Sequence, residues 1–359
     1  MIFNKSGHHL RKKFSLGDKK IETVRSYKYL GLVFTPSGEI KTALEDLRSR
    51  ALKAYMSLKQ KLGDCFAGYI EETLRLWDTL VKPILMYSSD FWGCLKLPVN
   101  NPIENLHLRF CKNILGVHKS TTNIGVLLEI GRVPLKLSAQ KAAIKNWERI
   151  RSKKANSILM SSFNGAKSDS LTWYSSIKSC LEGNGMMEYS IENTLPYTTN
   201  IYQKFYMRTV DQFHQNAFAE INNPSSKLRT YGLIKSTVGI EDYLKSIKNM
   251  KQRKSLTKLR LSNHKLMIEV GRHQKILKTQ RFCPFCPQTV EDEKHFLISC
   301  TKYTDLRSPL TKKCIEKEIF VHFNEEQKFI YMMSHRYIKK DIAQFVNEAM
   351  ELRSAIMQA

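Results

Sequence analysis

Cys283, Cys286, His295 and Cys300 follow one another in CPFCPQTVEDEKHFLISC, three thiols and one imidazole within eighteen residues. Two cysteines three positions apart on a turn can hold one ion from the same side. A histidine and a last cysteine returning from a short helix can close a tetrahedron around it. Sulfur and imidazole donors favour Zn2+, and four protein ligands leave no position for a reacting water, so such an ion is structural. Its binding energy becomes local folding energy for a segment too small to build its own core. Two other readings compete: CxxC as a redox pair, which leaves His295 and Cys300 without a role, and chance burial of small cysteines. Cys314 and His322 are weaker substitutes for one of the four ligands.

The residues before this cluster are strongly basic. Positions 245–281 hold twelve Lys or Arg and one acid, Glu269. Among them Lys251, Arg253, Lys254, Lys258, Arg260, Lys265, Arg272, Lys275, Lys278 and Arg281 are candidates for contact with a phosphate backbone, and leucines and isoleucines between them imply packed helices. The whole chain of 359 residues carries a net charge of +25, which points to a polyanionic partner, RNA or DNA. Phe282, Phe285 and Phe296 are placed either to stack on unpaired bases or to pack the miniature core around the ligands.

Catalytic constellations are not evident. The chain contains no pair of adjacent aspartates of the kind that holds two magnesium ions, and no glycine-rich phosphate loop. Glu291, Asp292 and Glu293 precede a helix start, where dipole compensation accounts for them. No catalytic residue is assigned, and no small-molecule substrate is expected. No apolar run reaches membrane-spanning length and the N-terminus has no secretory pattern, so no membrane partner is expected and the location is nuclear or cytoplasmic.

The elements that must position these residues are mainly α. Residues 1–38 read as short strands, with SYKYLGLVF alternating and Pro36–Ser37–Gly38 turning; such a hairpin needs a partner surface. Residues 39–62 form a helix with Ile40, Leu44, Leu47, Ala51, Tyr55, Leu58 and Leu62 on one stripe. A second helix covers about 69–92, interrupted near Pro83. A third starts from Asn101 as cap, with Pro102 at its first position and Gly116 at its end. A fourth covers 135–151, and a last one about 339–357 with Ile342, Phe345, Ala349 and Leu352 on one face. Stretches 155–170 and 181–200, rich in Ser, Asn and Gly, read as linkers. The expected organisation is strands 1–38, helical region 39–154, linker-rich segment 155–200, basic helices 201–281, zinc module 282–306 and C-terminal helices 307–359.

The order of MIFNKSG, SYKYLGLVF, LVKPILMYSSDFWG, LHLRFCKNILGVHKST, LEIGRVPL, CPFC and EDEKHFLISC with Tyr303 resembles the C-terminal half of reverse transcriptases from LINE-type non-LTR retrotransposons. The resemblance covers nearly the whole chain. It implies that residues 1–38 are the end of a polymerase palm with its primer-grip hairpin at Tyr29, Leu30 and Gly31, and that the following helices are thumb and connector. It also implies that Cys283, Cys286, His295 and Cys300 belong to a zinc motif that binds nucleic acid during target-primed reverse transcription. The chain then begins after the aspartate pair of an RNA-directed DNA polymerase, with palm and fingers as partners, and is not expected to polymerise alone. A contrasting expectation is a domesticated protein-interaction scaffold that retains the zinc.

Overall fold

The computed structural model describes residues 1–4, 12–152, 158–167, 173–190, 200–223, 225–316 and 318–358. Part of MIFNKSG lies outside these residues, as does the turn at Pro196. The described chain is mainly α, and its strands form three separate antiparallel pairs. Among the described residues no helix is long and apolar enough to cross a membrane.

Contacts divide the chain into two units assembled from non-consecutive segments. The first comprises Met1–Leu62, Leu74–His107 and Val133–Phe213; the second comprises Gly63–Thr73, Leu108–Arg132 and His214–Ala359.

In the first unit the helix Lys41–Leu62 buries Leu44, Leu47, Ala51, Tyr55 and Leu58, the stripe its spacing predicts. Ile40 and Leu62 lie at its ends, where packing is incomplete. Tyr55 meets Trp77 edge to face at 5.5 Å. The helix expected over 69–92 is broken into Ile70–Leu76, a π turn Trp77–Val81, then Lys82–Leu85 and Ser89–Trp92. Pro83 has no N–H to give the previous turn, and the wider π turn before it absorbs that loss. The helix Leu135–Arg151 buries Ala139, Ala143, Ile144, Trp147 and Ile150, with Ala142 only half-buried. It shares a core with Phe163, Ile177, Leu181, Ile201 and Phe205. Two of these residues correct the linker reading: within 155–170 lies a helix, Ile158–Lys167, which buries Phe163, and a second helix, Trp173–Glu182, runs into the other stretch. Composition there is turn-like, but one apolar face suffices to dock each short helix.

Of the two hairpins in this unit, the first pairs Phe14–Leu16 with Lys19–Ile21 and the second pairs Tyr27–Tyr29 with Leu32–Phe34, so Leu30 and Gly31 form the two-residue turn of the second. Both have positive φ, 45° and 83°. This is the twist that two-residue hairpins favour, and it suits Gly31 better than Leu30. The expected partner surface comes later in the chain: Tyr87, in the turn before Ser89–Trp92, donates to the Leu30 carbonyl at 2.6 Å, and Arg50 on Lys41–Leu62 to that of Gly31 at 2.8 Å.

The second unit takes in the end of the helix Pro102–Leu115. Asn101 Oδ1 accepts from Ile103 N at 3.0 Å, and Gly116 closes the helix at φ 68°, as the capping residues predict. Met250–Arg260 packs along the final helix Lys339–Ile356.

Candidate metal centre

The ligand-bearing ribbon is short: Phe282–Cys283 pairs with Cys286–Val290, and Cys283 faces Cys286 across a two-residue turn of Pro284 and Phe285. The chain then reaches a π turn, His295–Ser299, whose start is set by Asp292 accepting from His295 N at 2.8 Å. At Cys300 the backbone leaves helical geometry, and its N–H bonds back to the His295 carbonyl at 2.8 Å. The ribbon thus supplies two thiols and the turn supplies the imidazole and the last thiol.

The four donor atoms converge, all lying within 4.8 Å of one another. Cys300 Sγ stands 3.9 Å from Cys283 Sγ and 3.8 Å from Cys286 Sγ. Ligands about 2.3 Å from a tetrahedral centre lie about 3.8 Å apart, so the sulfurs are spaced as edges of that tetrahedron. His295 Nε2 is buried without a hydrogen-bond partner among the described residues, while Nδ1 lies 3.4 Å from the Ser299 hydroxyl. A buried ring nitrogen with no partner is costly, and a metal ion would satisfy it. Burial lowers the His295 pKa, which keeps the imidazole in its ligating neutral form. Burial, with Cys283 and Cys286 adding to it, pushes the Cys300 thiol up to about 12. Three thiolates this close repel one another unless a cation stands between them. Cys314 is a buried core residue of the helix Thr304–Ile315 and is not part of the cluster.

The surroundings hold the ligands rigidly. Arg307 is buried and donates to the carbonyls of Leu297 at 2.9 Å and Cys300 at 2.8 Å. Phe296 is fully buried between Tyr303, 5.1 Å away, and Phe345. Phe285 sits edge-on to Tyr303 at 6.1 Å, and Phe282 alone of the three candidate rings is open, with 43% exposure.

The acids beside the ligands correct the sequence reading. Only Asp292 serves the helix start. Glu291 is buried and takes two bonds from Arg353, both 2.8 Å, and one from Met267 N at 2.6 Å. Glu293, also buried, accepts from Arg229 at 2.6 Å and lies 2.8 Å from His264 Nε2. Arg353 takes the inward position on the last helix that Leu352 was expected to occupy; Leu352 is exposed.

The basic segment divides in two. Lys251, Lys258, Lys265, Arg272, Lys275 and Lys278 are exposed. Arg253 and Arg260 are turned inward, each 2% exposed, which removes them from any outward phosphate surface. Arg253 donates to the carbonyls of Ala67, Gly68 and Ile247, and Arg260 binds Glu129 at 2.7 Å and Glu241 at 2.8 Å. Arg281 donates to the carbonyls of Ile268 and Ile276, and the stem of Lys254 lies against Gly116. The Tyr29–Gly31 turn belongs to the first unit, with Leu30 74% exposed at its tip.

Sequence reasoning missed Glu129. It lies in LEIGRVPL, is completely buried, and accepts from Tyr231 at 2.8 Å, from Tyr243 and from Arg260. Its only signal was an acid among apolar neighbours in GVLLEIG. Comparison of the chain with protein-family models, curated proteins and solved structures finds no match.

Proposed function

We propose that the chain binds RNA or DNA through the basic surface of its second unit, and that Cys283, Cys286, His295 and Cys300 hold a structural Zn2+ that stiffens that surface. On the resemblance to LINE-type reverse transcriptases, the nucleic acid is the primer–template or target of target-primed reverse transcription. One observation carries the reading. Within 245–281 the single acid, Glu269, is buried and held by Arg229 and Arg272, while Lys251, Lys258, Lys265, Lys275 and Lys278 are exposed with no acid of that segment paired to them. On the helix Met250–Arg260, Lys251, Lys254 and Lys258 recur at spacings that share one face. A surface of this kind meets phosphates and releases their counterions.

The role of the zinc is mechanical. Cys283 and Cys286 fix the ribbon, His295 and Cys300 fix the turn, and Arg307 carries that order into the helix Thr304–Ile315. With all four positions taken by protein, the ion supplies charge balance and folding energy.

The test joins metal content to binding. Protein purified without chelator is expected to hold one zinc per chain, and Cys300→Ser to lose it together with protease resistance of the C-terminal unit. Anisotropy titrations of labelled RNA and DNA are expected to give binding whose logarithm falls linearly with the logarithm of salt, with little sequence preference. Absence of zinc, or absence of binding at low salt, overturns the corresponding half. Capture of an acidic protein that survives nuclease treatment would favour the scaffold.

A further inference from the structure

Beyond the metal module, residues 320–337 bring aromatic rings into a graded series. Phe320, buried, lies 5.5 Å from Tyr331. Tyr331 stacks on His335 at 4.7 Å with 26° between the planes, the one-turn spacing of a helix end. His335 lies 5.6 Å from Tyr337. Tyr331 and His335 are half-buried, and Tyr337, at 77%, stands almost wholly in solvent. The guanidinium of Arg336 lies 5.5 Å from the centre of the Tyr337 ring. Lys340, exposed and three residues beyond Tyr337 in the continuing helical turn, belongs to the same side.

Core packing explains the inner rings and leaves the outer one unexplained. An isolated exposed tyrosine is ordinary. This one is the open end of a continuous ring series, flanked by cations in a stretch, 327–340, that contains Lys328, Arg336, Lys339 and Lys340 and no acid. Lys339 is buried, so Arg336 and Lys340 supply the outward charge. The nearest following acid, Asp341, is paired with Lys313 at 2.6 Å. The helix Glu325–Ser334, which carries Tyr331 and ends at His335, packs against the π turn of the metal module.

We propose that Tyr337 is a stacking platform for an unpaired nucleotide base, extending the series Tyr331–His335–Tyr337, with Arg336 and Lys340 meeting the phosphates on either side of that base. This rests on the nucleic-acid reading above and adds to it a preference for single strands. A base in a duplex already has both faces covered, whereas an unpaired one gains a partner on the ring. Proline-rich peptides also dock on aromatic surfaces, but the charge of this stretch favours a polyanion.

The full chain is titrated with a short oligothymidylate, an oligouridylate and a duplex of matched length. Tyr337→Ala is expected to weaken single-strand binding roughly five- to a hundred-fold, the loss of one stacked base, leaving the salt slope and duplex affinity unchanged. Tyr337→Phe keeps the ring and is expected to bind like the parent. Arg336→Ala lowers the single-strand salt slope by about 0.7. Unchanged zinc content and thermal unfolding confirm that the variants fold. Single-strand affinity unaltered in Tyr337→Ala, or duplex affinity reduced equally, overturns the platform and leaves the basic-surface reading standing. A parent protein that binds none of the three overturns both. A proline-rich peptide whose binding is lost in Tyr337→Ala while oligonucleotide binding is not reassigns the platform to a protein ligand.

Discussion

Charged side chains here do opposite work according to where the fold places them. Glu104 shows how little sequence spacing says about this. Its Oε2 lies 3.4 Å from Lys136 N at the start of Leu135–Arg151, yet Oε1 is buried without a hydrogen-bond partner among the described residues. Burial raises the carboxyl to about 7, against the pull of the N–H groups of Lys136 and Leu135. A folded-state pKa above the ordinary 4.5 means that this group's contribution to stability is complete below about pH 4.5 and is lost as pH rises through 7. Glu104→Gln is therefore expected to match the parent near pH 4.5 and to melt a few degrees higher at pH 8. Thermal unfolding at the two pH values checks this. A variant that melts lower at pH 8 would show that the charged form is the stabilising one.

At the scale of elements, the last helix and the metal ribbon are joined by one ion pair. Arg353 lies on Lys339–Ile356 and Glu291 at the end of the ribbon, both nearly inaccessible to water. Removing one partner leaves the other charge buried alone. Arg353→Ala should cost about 3–5 kcal/mol. The double change Arg353→Met with Glu291→Leu removes both charges and should recover most of that loss in denaturant unfolding. Glu291 also accepts from Met267 N, so some loss remains. Elements themselves were legible in several places: Lys41–Leu62, Leu135–Arg151 and the Asn101 cap lie where apolar periodicity and capping residues put them. The helix Ile158–Lys167 was not, because short docked helices draw their stability from the neighbour they cover and leave a weak local signal.

For the molecule as a whole, net charge divides into a part that faces water and a part that holds the fold. Lys258 and Arg260 are two residues apart on one helix and equally basic in sequence, yet Lys258 is exposed and Arg260 is enclosed by Glu129, Glu241, Tyr231 and Tyr243. Lys258→Ala is expected to keep stability within about 0.5 kcal/mol and to lower the salt slope of nucleic-acid binding by about one. Arg260→Ala should lose about 3–5 kcal/mol because the buried Glu129 loses its cation and the half-buried Glu241 keeps only Lys235. Denaturant melts and salt titrations on the pair separate the two roles.

The sequence by itself determined the donor set Cys283, Cys286, His295 and Cys300, the mainly α fold and the excess of positive charge. Ligand spacing, apolar period and composition are local properties that survive without knowing what packs on what. Tertiary structure alone decided which of the twelve cations between 245 and 281 point outward, that Glu129, Glu291 and Glu293 are buried partners of arginines, and that Tyr337 ends a series of rings in solvent. Those facts depend on segments far apart in the chain meeting, as Glu129 meets Arg260 and Glu291 meets Arg353, and no spacing along a single helix encodes such a meeting.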